Sequence, residues 1–278
     1  MNRLFSLRTS VGVLAAVSAS FVFSLTACGD DSSSVEPSLD ESSSSVAQFL
    51  SSSSAVIPGS SSVSSPMSSS SAVIPGLTGN LLDSRDGQTY KTVTIGSQTW
   101  MAQNLNYETA NSYCYSDNAS NCIKYGRLYT WAAAMDSVGS WSANGKGCGD
   151  NKTCTPTYPV RGVCPTGWHL PNNSEWEQLF IAVGGSDTAG TKLKSTTGWN
   201  SSGNSVSGTD AYSFSALPAG LRYNNGNYYG ESYDADFWSS TEYGSDGAYS
   251  MGLYYNYDDA YLYYNSKNNG FSVRCVKD

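Results

Sequence analysis

The residues of this chain whose types could do chemistry are few and unevenly spread. There is one histidine, His169, set between Trp168 and Leu170. Histidine titrates near neutral pH and can serve as a general base. Between two large apolar residues, it reads here as a satisfied structural group. No Gly-x-Ser-x-Gly turn offers a nucleophile for it to activate. Glu231, Asp234, Asp236, Glu242, Asp258 and Asp259 fall in the C-terminal third, and paired carboxylates are what a glycosidase needs. They stand among glycine, asparagine and tyrosine, which suggests solvated loop acids rather than an acid/base pair.

Cysteine supplies a second kind of chemistry. Cys28 closes Leu25-Thr26-Ala27-Cys28 after an apolar stretch, Val11 to Leu25, that follows Arg3 and Arg8. This is the layout of a secretory signal, 1–27, cut before a cysteine that is then acylated. At about 15 residues the stretch falls short of the roughly 20 that span a bilayer. The expected address is the bacterial outer membrane or cell surface, with the chain held to the membrane by its lipid. Of the chain's 7 cysteines, an even set then remains: Cys114, Cys122, Cys148, Cys154, Cys164 and Cys275. In an oxidising compartment these read as three disulfides. Spacing favours Cys114–Cys122 and Cys148–Cys154 as local clasps, with Cys164–Cys275 as the long tie. The spacings hold no CxxC pair, which argues against zinc; neither a metal nor another cofactor is expected.

The third resource is aromatic. Between Tyr223 and Tyr264 the tyrosines crowd together with Asn224, Asn225, Asn227, Asn256 and Asn265. Tyrosine offers large contact area at low entropic cost, and asparagine, serine and glycine add adaptable hydrogen bonds. Tyr228, Tyr229, Tyr233, Tyr254, Tyr257, Tyr261, Asn225 and Asn227 are the expected ligand-binding residues. Strand propensity accounts for part of the field, but Tyr228-Tyr229 and Tyr257 fall in turn-rich segments. On a strand, Tyr261 and Tyr263 would share one face and Leu262 and Tyr264 the other, one set core and one exposed. Phe237 and Trp238 read as core.

Elements to position these residues follow from local pattern. Residues 28–78 form a lipidated, serine-rich linker too poor in apolar residues to order itself. Within it Ser51-Ser-Ser-Ser-Ala-Val-Ile-Pro-Gly59 recurs as 68–76. Its span, about 40 Å as a coil, lifts a domain at 79–278 off the headgroups. The chain's formal charge of −8 becomes −10 once Arg3 and Arg8 leave with the signal, which argues against a nucleic-acid partner. Thr89–Met101 reads as a hairpin turning at Gly96-Ser97. Alanine-rich 126–136 reads as a helix. Asn172 and Glu175 form a capping box, ahead of a core stripe of Trp176, Leu179, Phe180 and Val183. Gly184-Gly185 ends that helix. Tyr212–Leu217, Phe237–Thr241, Tyr249–Tyr255, Ala260–Tyr264 and Phe271–Val276 read as strands, giving an α+β class.

The blocks YCYSDNASNC (113–122), KYGRLYTWAAAMD (124–136), YPVRGVCPTGWHLPNNSEWEQL (158–179), FWSSTE (237–242) and FSVRCVKD (271–278) resemble the Fibrobacter succinogenes major paralogous domain. That family is similar to the C-type lectin-like group, which includes the formylglycine-generating enzymes. The resemblance implies a small twisted antiparallel sheet, two flanking helices and long loops. An oxidase of that group would need reactive paired cysteines late in the chain, and Cys275 is the only cysteine after Cys164. The EPN and WND motifs of calcium-dependent lectins are absent. The expectation is therefore a non-enzymatic adhesion lipoprotein binding glycan or plant polysaccharide. An envelope component with a protein partner is the alternative, and an oxidase or glycosidase a lesser one.

Overall fold

A computed structural model describes residues 76–278; the signal segment, Cys28 and the linker to residue 75 lie outside the described residues. The first strand, β1 (Leu77–Leu82), starts two residues ahead of the boundary expected at 79. It pairs with β2 (Thr89–Ile95), which turns at Gly96 (φ +60°) into β3 (Gln98–Met101). This is the expected hairpin. A left-handed φ is the conformation glycine adopts without strain.

The next segment is irregular. It carries β4 (Ser112–Tyr113), a 3-10 turn, α1 (Ala119–Tyr125), β5 (Leu128–Tyr129) and α2 (Trp131–Ala134). Alanine-rich 126–136 is thus a short strand plus a single helical turn. Tyr129 leaves the helical register to exchange backbone bonds with Phe271, a tertiary pairing that overrides alanine's propensity. After β6 (Trp168–His169) comes α3 (Asn173–Ala182), with the capping box of Asn172 and Glu175 in place. α4 (Ser186–Leu193) follows, with Gly185 as its N-cap.

The C-terminal third holds β7 (Ala219–Arg222), β8 (Tyr228–Glu231), β9 (Asp234–Glu242), β10 (Gly247–Tyr254), β11 (Tyr261–Ser266) and β12 (Val276–Lys277). The class is α+β, but the single small sheet expected becomes two of five strands each, with β4 and β5 pairing separately. The five-stranded orders are β1-β2-β3-β12-β6 and β11-β10-β9-β7-β8, and β7 runs parallel to β9. Tyr212–Leu217 is not a strand. Ser213 and Ser215 sit at positive φ, and Asp210 binds the Ser215 amide (2.7 Å) and hydroxyl (2.6 Å), a local turn that outcompetes a ladder. Phe271–Val276 is extended but crosses between the sheets, Phe271 bridging Tyr129 and Ser272 bridging Phe237, so only Val276–Lys277 forms a strand.

Two large buried clusters fill most of the interior, with a small third around Tyr125, Leu128 and Ala219. One stacks Trp100 on Trp176 (4.6 Å between centroids), with Phe214 and Phe237 beside them, so α3 packs against both sheets. The other gathers Trp131, Trp238, Tyr129 and Phe271 around the Cys164–Cys275 bridge. All three expected disulfides are present. Closing the 111-residue separation stabilises the fold by about 4–5 kcal/mol in the chain-entropy account.

The long loops are held by buried cations. Lys194 Nζ donates to the carbonyls of Val206, Tyr254 and Tyr257 at 2.9–3.0 Å. Lys267 Nζ reaches Glu242 Oε1 (2.5 Å) and the carbonyls of Lys152, Gly244 and Ser245. The Arg274 guanidinium meets Asn104 and the carbonyls of Met101, Phe214 and Ser215. All three are fully buried. A buried charge is tolerated only when its hydrogen-bonding capacity is met, and here backbone carbonyls meet it as they would around a metal ion.

Candidate functional site

β9 sets the geometry of the site. Residues two apart on a strand share a face, so Asp234, Asp236 and Trp238 look one way, Trp238 into the cluster around Cys164–Cys275, while Ala235 and Phe237 enter the cluster around Trp176. Across the ladder, Ser250 pairs with Trp238 and Gly252 with Asp236, and on β11 Tyr263 pairs with Ser250 and Tyr261 with Gly252. One face of the second sheet therefore gathers Asp234, Asp236, Tyr254, Tyr261 and Tyr263 around Gly252. A Cβ on Gly252 would lie 2.7 Å from Tyr263 Cε1, 3.2 Å from Tyr254 Cε2 and 3.4 Å from Asp236 Oδ1. The bare glycine is what lets the phenols close over the carboxyl.

A hydrogen-bonded chain results. Tyr254 OH donates to Tyr263 OH (2.7 Å), and Tyr263 OH donates to Asp236 Oδ1. The Tyr254 and Tyr261 rings run parallel, 9° apart with centroids at 5.3 Å, and Tyr257 stands edge-on to Tyr254 at 6.3 Å. Burial pushes the Asp236 carboxyl up to about 7, its hydrogen bond from Tyr263 opposing and Asp234 adding. Burial raises Asp234 to about 6 and Tyr261 to about 12. Tyr263 is raised further still, by burial and then by the Asp236 charge. Asp236 Oδ2 is buried without a partner. The phenols of this face therefore stay neutral donors over all working pH, and the carboxyl beneath them titrates near neutrality.

The expectation of solvated loop acids needs correcting. Glu231, Asp234, Asp236 and Glu242 lie on strands, and Asp236 is fully buried. Glu231 accepts from Tyr125 OH (3.0 Å), and Glu242 binds Lys267 and the Cys154 amide (3.1 Å). Asp258 accepts from Thr191 (2.7 Å). The Asp236 carboxyl lies beneath Tyr263, so that ring would have to move before a substrate reached it. His169 bridges Asp278 through Nδ1 and Glu175 through Nε2, both at 2.7 Å. Glu175 is also the capping-box acid of α3, so the histidine ties that cap to the chain's last residue. Burial pulls its pKa down, but the two carboxylate bonds outweigh this and the net shift is upward.

The tyrosine field is not one surface. Tyr254, Tyr257 and Tyr261 come together at β10–β11. Tyr228, Tyr229, Asn225 and Asn227 sit on the β7–β8 hairpin at the opposite edge of the same sheet, about 19 Å away at normal strand spacing. Tyr228 and Tyr229 belong to a strand, not to the turn expected for them. Tyr228 is already engaged: its hydroxyl donates to Asp117 (2.6 Å) and its ring lies 5.3 Å from Tyr115. Asn225 braces the turn by accepting from the Asn227 amide (3.0 Å). Tyr229 is exposed, edge-on to Tyr223 at 5.1 Å. Tyr233 is separate again, packed against Tyr255 at 4.9 Å. The faces of β11 are mixed rather than core and surface: Leu262 packs on the core, yet Tyr264, on the same face, is 56% exposed and stacks on Tyr243 at 3.8 Å.

Sequence reasoning passed over Tyr263, Gly252 and Asp236 as a unit. The alternation Asp234-Ala-Asp-Phe-Trp238 carried the signal, since it places two acids on the face opposite a core phenylalanine. All six described cysteines are paired, so the described residues hold no free thiol. Among them there is also no group of three or more histidine, cysteine, aspartate or glutamate side chains placed to hold a metal. No described helix is long and apolar enough to cross a membrane. A polar cleft of about 380 Å³ between the β2–β3 hairpin, α1 and residues 195–217 includes none of the expected ligand residues.

Paired sheets, an α3 cap tied to the C-terminal strand and three disulfides define a stapled α+β domain whose second sheet displays phenols. The chain belongs to the Fibrobacter succinogenes major domain family, whose model matches residues 93–277. No curated protein and no solved structure matches the chain.

Proposed function

We propose that this chain is a non-enzymatic lipoprotein of the bacterial surface that binds a glycan or plant polysaccharide through the β10–β11 tyrosines, on a C-type lectin-like scaffold. The observation that carries the reading is the parallel Tyr254–Tyr261 pair beside half-exposed Tyr257. Aromatic faces attract the positive C–H edges of a sugar ring, and phenol hydroxyls bond its hydroxyls. The carbonyl cage of Lys194 fixes the Tyr254–Tyr257 turn, so little ordering entropy is lost on binding. Tyr229, Asn225 and Asn227 provide a second, adaptable contact at the far edge, and Tyr233 a further ring at the strand start. Lipid on Cys28 and the serine-rich linker would supply anchor and reach.

The test is retention of the full chain on insoluble cellulose and xylan, alongside a glycan array. Saturable retention that soluble oligosaccharide competes away is the expected result. A chain retained by neither polymer and by no arrayed glycan contradicts the reading, and co-purification of a protein partner through the same tyrosines would replace it.

A further inference from the structure

We propose that the open edge of β11, with the groove beside it, binds an extended basic polypeptide segment by strand addition. The groove shares Tyr261 with the tyrosine face, but its open backbone edge and acidic rim are separate from the phenol contacts. β11 is the outermost strand of its sheet and pairs only with β10. Apart from the Ser266 carbonyl, which accepts from the Asn269 amide (3.0 Å), alternate backbone N–H and C=O groups on its other side are therefore free to accept a further strand. Its sequence, Tyr-Leu-Tyr-Tyr-Asn-Ser, has high strand propensity and none of the charges or prolines that normally protect such an edge. The first sheet's open edge, β1, contains Gly79 and adjoins a cleft whose lining residues are mostly polar and include Lys91.

The β11 edge adjoins a groove of about 590 Å³ between α3, the start of α4 and residues 259–262. Phe180, Ile181 and Leu262 supply apolar lining, and Ile181 is 75% exposed. Strand addition draws affinity from main-chain bonds and specificity from such pockets for alternate side chains. Glu177, Asp187 and Asp259 rim the groove, no lysine or arginine lines it, and none of the three acids is in an ion pair among the described residues. Lys192 on α4 is directed instead to the Val183 carbonyl at 2.6 Å. Asp259 Oδ1 is buried with no partner.

This charge pattern selects the occupant. A second copy would set the three acids of each edge against their own kind, which opposes association. The chain's own linker offers Ala-Val-Ile segments, but residues 29–75 contain acids and no lysine or arginine. A partner segment alternating apolar and basic residues satisfies edge, pocket and rim together.

The experiment titrates the full chain with a short capped peptide of alternating valine and lysine, and with its valine–glutamate counterpart, while following amide exchange across 261–266. Binding of the lysine peptide alone, with slowed exchange in β11, is expected. Glu177→Gln with Asp259→Asn, which removes two rim charges from side chains that bond nothing, should weaken binding about tenfold. The near-ultraviolet signal of the tyrosines reports that both variants stay folded. Equal binding of the two peptides, or binding of neither, overturns the proposal. So does protection, before any peptide is added, of the β11 amides that face away from β10: if concentration-dependent it identifies a second copy, and if not, the chain's own linker. Retention on polysaccharide should be unchanged in these variants, so failure here and failure of the glycan reading are separate results.

Discussion

The two ends of the second sheet use the same residue type in opposite ways. Toward β11, tyrosine hydroxyls are linked to one another and to a buried carboxyl, and the rings are held parallel over Gly252. At β8, Tyr228 is clipped to Asp117 while Tyr229 and Tyr223 stand in solvent around a turn braced by Asn225. Burial makes the difference. A phenol whose hydroxyl is desolvated must find a partner, and Asp236 provides it. A phenol at a hairpin tip keeps water and stays free to adapt. Tyrosine density alone therefore does not mark a binding surface; the partner of each hydroxyl separates a rigid platform from a loose one.

The largest expected effect exploits the buried carboxyl. Asp236 is raised from 3.8 to about 7, so the folded state holds a proton that the unfolded chain has released across that window. The Asp236 contribution to stability is then fully present below about pH 4 and is lost as pH rises through about 7, on the order of 4 kcal/mol. Asp234 and His169, both raised, slope the same way. The histidine's contribution is complete below its unfolded pKa and lost as pH climbs through the folded one. Urea unfolding across this range should show the decline, and Asp236→Asn should remove most of it. Substitutions on the β8 hairpin should leave it unchanged.

A smaller effect comes from filling the space under the rings. Gly252→Ala puts a methyl 2.7 Å from Tyr263 and should cost about 1–3 kcal/mol by overpacking. The loss should be visible both in the urea midpoint and in polysaccharide retention. Tyr228→Phe removes one hydroxyl bond to a solvent-exposed acid and should cost about 0.5–1 kcal/mol. Smallest is Tyr229→Ala, within about 0.5 kcal/mol for a side chain outside the core. A larger cost there would mean that the β8 edge is as built-in as the β11 edge.

How much of this was legible in the sequence varied with how local the cause was. The Asn172–Glu175 box, the Gly96 turn and the cysteine spacings act over a few residues or through one obligatory bond, and each appears in the structure as read. The Trp176 stripe was legible for the same reason. Strands 212–217 and 271–276 were misread because an Asp210 turn and a crossing between sheets decide them, neither of which alternation can register. The grouping of the tyrosines was half legible: Tyr254, Tyr257 and Tyr261 do converge. Placing Tyr228 and Tyr229 in the same field required knowing the strand order, which puts three strands between them. The cages around Lys194, Lys267 and Arg274 left no local trace, because their ligands are carbonyls up to 173 residues away.

The central claim is that the rigid β10–β11 phenols, more than the hairpin phenols, hold the proposed glycan. The most direct test measures retention of the full chain on insoluble xylan and cellulose for Tyr257→Ala, Tyr261→Ala and Tyr229→Ala in parallel. Losing one stacking ring at the rigid edge should weaken binding about tenfold or more, against about two- to threefold for Tyr229→Ala. Equal losses at both edges, or a larger loss at Tyr229, would contradict the account.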